Sequence, residues 1–164
     1  MTELRLAVAG KLPDGINQKL LGQAINLVGQ TASERTTDDG RRAAVINLKL
    51  VDDARIQDLN KKYAGNDKPT DVLSFNYSED GGQPVDGELG DIAISYQTAQ
   101  RQAQEAGTTL ETEVTLLLVH GCLHLLGHDH AEASELKRMD QLQAEIMKRL
   151  GLTYRNFQWD LSKA

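Results

Sequence analysis

Apolar positions along the chain recur every second residue in some stretches and every third or fourth in others, and these two periods lay out the elements. Leu4-Arg5-Leu6-Ala7-Val8 alternates at its start and predicts a strand, and Pro13-Asp14-Gly15 a turn. Ile16, Leu20, Leu21, Ala24, Ile25 and Val28 fall on one stripe of a helix. The polar run Thr31–Gly40 reads as a loop. Ala44, Ile46, Leu48 and Leu50 then alternate with Val45, Asn47, Lys49 and Val51 as a half-buried strand. Asp52 is placed to cap a short helix whose apolar stripe is Ile56, Leu59 and Tyr63, and Gly65–Pro69 follows as a loop.

Two more short strands are predicted at Val72–Tyr77 and Ile92–Ser95, joined by a mobile Gly- and Asp-rich connection, Ser78–Gly90. Tyr96–Ala106 reads as a helix stopped by Gly107. Thr108 with Glu111 three residues later has the form of a capping box for the next helix, which carries Leu116, Leu117, His120, Leu123 and His124. A last amphipathic helix shows Leu136, Met139, Leu142, Ile146 and Leu150, with Gly151 just beyond its end. No repeat, linker or low-complexity tract interrupts this order, and 164 residues suit one domain.

Composition adds little to the picture except by exclusion. The chain is 40% hydrophobic and 26% charged, as a globular protein is. Its single cysteine, Cys122, allows no internal disulfide, and its start lacks the pattern of a secretory signal, so a cytoplasmic location is expected. The longest apolar run, Val114–Val119, falls far short of the roughly 20 residues of a membrane span, and no membrane association is expected. A net charge of −6 rules out a surface that is polycationic as a whole. Contact with nucleic acid would have to be local, and the basic groups at Arg41 and Arg42 and at Lys61, Lys62 and Lys68 permit it while also being what a solvated face looks like.

All four histidines lie in one short stretch, His120-Gly121-Cys122-Leu123-His124-Leu125-Leu126-Gly127-His128-Asp129-His130. Residues four apart on a helix share a face, so His120 and His124 can aim two imidazoles at one point. Gly127 suits a left-handed helix end that turns the chain back and brings His130 to the same point. Three imidazoles with one open position are the catalytic pattern of zinc, whose bound water ionises near neutral pH. The alternative is a set of core or surface histidines gathered by chance. His128, two residues from His130, is not expected to be a ligand, and Cys122, two residues from each flanking histidine, reads as a small buried apolar residue. Asp129 suits either a hydrogen-bond acceptor for a ligand imidazole or a helix cap. Zinc peptidases of the HExxH type carry a glutamate after the first histidine; here that position is Gly121, which removes the peptidase base and leaves a base from elsewhere or a phosphodiester substrate.

The run HGCLHLLGHDH closely resembles the signature of the YbeY endoribonucleases. Leu59-Asn60, Tyr63 and Asp67–Phe75 resemble that family's central motif, and Leu89-Gly90-Asp91-Ile92 with Ile94-Ser95 its next strand, so the likeness covers roughly residues 44–150. It implies an α+β domain with a small mixed β-sheet covered by helices, similar to zinc hydrolases. It implies one Zn(2+) per chain, held by His120, His124 and His130, and hydrolytic cutting of single-stranded RNA. The implied role is maturation of the small-subunit rRNA 3′ end and ribosome quality control, with the ribosomal small subunit as partner. Asp71 and Ser74 fall within the central motif and are candidates for orienting water or phosphate, although Asp71 equally suits a turn cap after Pro69.

One position departs from the family. Tyr63-Ala64-Gly65 stands where the family usually reads Tyr-Arg-Gly, and an alanine can neither pair with phosphate nor stabilise developing charge. Either activity is weakened, or Lys61, Lys62 or Arg55 stands in. Two other functions compete with the nuclease: a different zinc hydrolase, disfavoured by Gly121, and a non-catalytic ribosome-biogenesis binding protein with a structural zinc, which Ala64 favours.

Overall fold

Residues Thr2–Val8 form strand β1, Gln18–Thr31 helix α1 and Arg42–Val51 strand β2 in the computed structural model, which describes residues 2–32, 42–78, 84–128 and 132–154. Helix α2 (Asp53–Ala64) leads to β3 (Val72–Asn76) and β4 (Glu88–Ser95), and then come α3 (Tyr96–Ala106), α4 (Leu110–Leu125) and α5 (Ala133–Arg149). The four strands make one mixed sheet in the order β1-β2-β4-β3, parallel except for the antiparallel edge strand β3. This is the small mixed sheet covered by helices that the family resemblance implies.

Alternation decides which sheet face is buried. Leu4, Ala44, Ile46, Leu48, Ile92 and Ile94 are all at most 1% exposed, and their register puts them on one face. Against that face lies α4, almost every residue of which is buried, with α1, α3 and α5 packed around it. A helix apolar on all sides is stable only when neighbours cover every side, and this one is the core's axis. On the other side, α2 packs against β4, where Val51, Ala93 and Ile56 are buried outside the main cluster.

The helix ends follow local chemistry. Asn17 and Asp52 cap α1 and α2 with their side chains, and Gly65 and Gly107 close α2 and α3 in the left-handed conformation. The expected Thr108–Glu111 capping box is not formed. Thr109 caps α4, accepting from the Thr112 amide, while Glu111 instead accepts from the backbone N–H of Asn17 at 2.8 Å. A long-range tie to the start of α1 thus claims the carboxylate that a local cap would have used.

The link between β3 and β4 also differs from expectation. Residues 79–83 of the predicted mobile connection, like most of the loop predicted at 31–40, lie outside the described residues. The rest of the link is ordered into a tight turn, with Val85 bridged to Glu88, and β4 starts four residues earlier than predicted. A bulge opposite Val45 and Ile46 shifts the partner from Glu88 to Gly90, and the extra residue, Leu89, is buried in the core. A Cβ at Gly90 would fall 2.2 Å from the Phe75 carbonyl oxygen and 2.8 Å from Leu125, so β3 lies this close to β4 only beside a glycine.

Candidate metal centre

Helix α4 presents His120 and His124 one turn apart, with ring centroids 4.6 Å apart at an interplanar angle of 77°. His120 is 2% exposed, and His124 is half-buried towards the helix end. The neighbour that fixes His120 is Gln143 of α5, itself 2% exposed, whose side-chain oxygen lies 2.6 Å from His120 Nδ1. An amide oxygen can only accept, so Nδ1 carries the proton and the lone pair sits on Nε2.

The helix then ends where its glycine was expected to end it. Gly127 has φ +93° just after the last turn, and its backbone N–H donates to the carbonyl of His124. His130 and Asp129 lie outside the described residues, so the structure brings together two of the three predicted ligands. His128 is buried with Nε2 3.2 Å from the carbonyl oxygen of Ala32, which ties the turn after α4 to the end of α1. Cys122 is fully buried, and desolvation pushes its thiol well up, which leaves it an apolar filler rather than a nucleophile.

Gly121 faces the sheet. A Cβ there would meet Ser74 Oγ at 3.0 Å and Ile92 Cδ1 at 3.1 Å, so the position that holds a base in zinc peptidases has no room here for a glutamate. Ser74 donates to the Gly121 carbonyl at 3.3 Å and anchors β3 to the helix turn between the two histidines. Asp71 is engaged in structure: it accepts from the Val72 amide at 2.7 Å and from Gln102 Nε2 at 3.2 Å.

Two polar clusters lie away from the histidines. At the starts of α2 and α3, Asp53 accepts from Ser95 and Thr98 and from Arg101 at 2.8 Å. Burial alone would raise its carboxyl, but these hydrogen bonds and the Arg101 charge outweigh it and hold it below its ordinary value. On the sheet's other face Tyr77 donates a short hydrogen bond to Asp91, which raises its phenol to about 12.

Gln143 was missed in the sequence, and a signal was there. It occupies the apolar stripe of α5, four residues after Met139 and three before Ile146, and a polar residue on a core stripe implies a polar partner. Tyr63 was read as part of the α2 stripe, yet it is 59% exposed. It sits in the last turn of α2, where its ring meets Phe75 in a T-shaped contact.

The family model described as Endoribonuclease YbeY matches residues 14–151. The chain belongs to the YbeY endoribonuclease family. A relative named Endoribonuclease YbeY from Carboxydothermus hydrogenoformans is 44% identical over 78% of this chain and 87% of its own. Another of that name, from Pelotomaculum thermopropionicum, is 49% identical over 67% of this chain and 74% of its own. Among solved structures, the solution structure of TM1509 from Thermotoga maritima superposes with a TM-score of 0.56 at 28% identity, covering 90% of this chain and 88% of that one.

Proposed function

We propose that this protein is a metal-dependent endoribonuclease that cuts single-stranded RNA, with one Zn(2+) held by His120, His124 and His130. It acts in the cytoplasm on ribosomal RNA, in maturation of the small-subunit 3′ end and in ribosome quality control. The observation that carries this reading is the pair of imidazoles one turn apart, with Gln143 holding the tautomer that leaves the lone pair on His120 Nε2. An all-nitrogen donor set of this kind suits zinc, and the ion would supply Lewis-acid polarisation of a phosphodiester and of the attacking water.

The protein's own residues do the rest. Gln143 and the packing of α4 keep the His120 imidazole from turning, so little reorganisation of that side chain accompanies substrate binding. Ser74, bonded to the Gly121 carbonyl, holds edge strand β3 beside the same helix turn. Ala64, exposed at the end of α2, contributes no charge, and a cation for phosphate comes from the last turn, where Lys61 and Lys62 lie. Arg55 is in the first turn, about 14 Å away along the helix axis, and does not stand in for an arginine at position 64. Lysine lacks the bidentate fork of arginine, so turnover is expected to be slow. No helix among the described residues is long and apolar enough to cross a membrane.

The test is cleavage of a single-stranded RNA by the purified protein with its metal quantified, beside His124→Ala. Loss of both metal and cleavage in the variant supports the reading. Metal without cleavage in the parent overturns it in favour of a ribosome-biogenesis binding protein with a structural zinc, the reading that Ala64 favours.

A further inference from the structure

The face of β3 turned away from the histidines carries a second feature that the metal centre does not use. Ser74 points to α4, so its neighbour Phe75 points to the opposite face, where Tyr63 packs on it edge-on, with centroids 5.2 Å apart at 64°. Tyr63 stays 59% exposed, the most exposed large apolar side chain among the described residues. The T-shaped contact with Phe75 gives the ring one packed neighbour on β3 while most of its surface faces solvent.

One lysine lies over that ring, Lys62, whose Nζ is 5.1 Å from its centroid, while Lys61, two residues before Tyr63, pairs with Asp67 at 3.7 Å. The loop after α2 is tied back by Asn60 Nδ2 donating to the Lys68 carbonyl at 2.9 Å and by Gln57 Nε2 donating to Asp67 at 3.0 Å, which brings Lys68 beside the same turn. In a chain of net charge −6, Lys62 over an exposed aromatic, with Lys68 tied to the same helix end, is a local departure from the overall charge. On the same face Asp91 is the cross-strand partner of Phe75 and accepts from Tyr77, and Glu88 accepts from Asn47, so carboxylates border the platform on its β4 side and leave phosphate to the lysine side.

We infer that Tyr63 is a stacking platform for one nucleobase of the single-stranded RNA, with Lys62 and Lys68 taking the flanking phosphates. The combination of an exposed ring and basic side chains is what binds single strands without reading sequence. The edge strand β3 separates this platform from the histidine helix, so a strand engaged at the metal crosses one strand's width to reach it. The platform rests on the nuclease reading and adds to it a binding residue that sets KM.

The experiment measures binding of a fluorescent, 2′-O-methylated single-stranded oligonucleotide by anisotropy, and cleavage of the matching RNA, for the parent, Tyr63→Ala and Tyr63→Phe. Expected are a rise of about tenfold in Kd and KM with Tyr63→Ala at little changed kcat, and parent-like values with Tyr63→Phe. An oligonucleotide with abasic residues should erase the difference between parent and Tyr63→Ala. Joint replacement Lys62→Gln and Lys68→Gln should flatten the salt dependence of binding by about 0.7 in log–log slope for each phosphate that the variant no longer neutralises. A parent that cleaves RNA while Tyr63→Ala binds and cleaves equally well overturns the platform alone. A parent that neither binds nor cleaves RNA overturns the nuclease reading and the platform with it.

Discussion

Replacing Gln143 by leucine tests whether this side chain holds the metal centre in order. Leucine nearly matches glutamine in volume, so the change removes an acceptor without opening a large cavity. The His120 Nδ1–H, now 2.6 Å from the Gln143 oxygen in a place where both residues are 2% exposed, would lose that acceptor away from water. A buried donor stripped of its partner costs about 1–3 kcal/mol, and for a domain of this size 1 kcal/mol moves the melting temperature by about 2–4 °C. The metal-free Gln143→Leu protein should therefore melt about 2–12 °C below the parent. Releasing the imidazole also frees its tautomer, so zinc affinity, measured by competition with a chelating dye, should fall about 10–100-fold. Gln143→Glu keeps an acceptor at the same place and should retain most of the affinity. The reasoning fails if Gln143→Leu melts with the parent and binds zinc equally well, for then the hydrogen bond neither stabilises the buried imidazole nor orients it.

Two further predictions follow from the sheet. Gly90→Ala places a Cβ 2.2 Å from the Phe75 carbonyl oxygen, and because backbone cannot swing aside as a side chain can, the β3–β4 pairing must open. Denaturant unfolding should show a loss of about 3 kcal/mol or more, and a loss below about 1 kcal/mol would refute the close approach. Tyr77, raised to about 12 chiefly by its hydrogen bond to Asp91, contributes stability that is complete below the ordinary phenol value of 10 and lost as pH rises from 10 through 12. Tyr77→Phe should flatten that alkaline decline in thermal melts and remove one high-pH transition from the ultraviolet titration of tyrosine; an unchanged titration would contradict it.

Local chemistry wrote much of this fold into the sequence. Residues 44–51 alternate because one sheet face is buried, Asp52 and Gly107 mark helix ends because their side chains or conformational freedom suit those positions, and Gly127 ends α4 in a left-handed turn. His120 and His124 were legible as a pair because helical spacing alone puts them on one face. Position 121 could be read as lacking a base, but the close packing on Ser74 and Ile92 that excludes one appears only in three dimensions.

What tertiary structure decided was the partners brought from far along the chain. Glu111 abandons a local cap for Asn17, 94 residues away in sequence, because docking α1 beside α4 brings that amide within reach. Leu89 is buried only because a bulge turns it inward, and Tyr63 is left exposed with its ring against Phe75, a contact that the α2 stripe did not specify. Gln143 meets His120 across 23 residues, and no helical period in either segment specifies that meeting. Sequence periodicity fixes which face of an element is apolar, whereas the pairing of polar groups depends on how those faces dock, and docking is settled by the packing of the whole core.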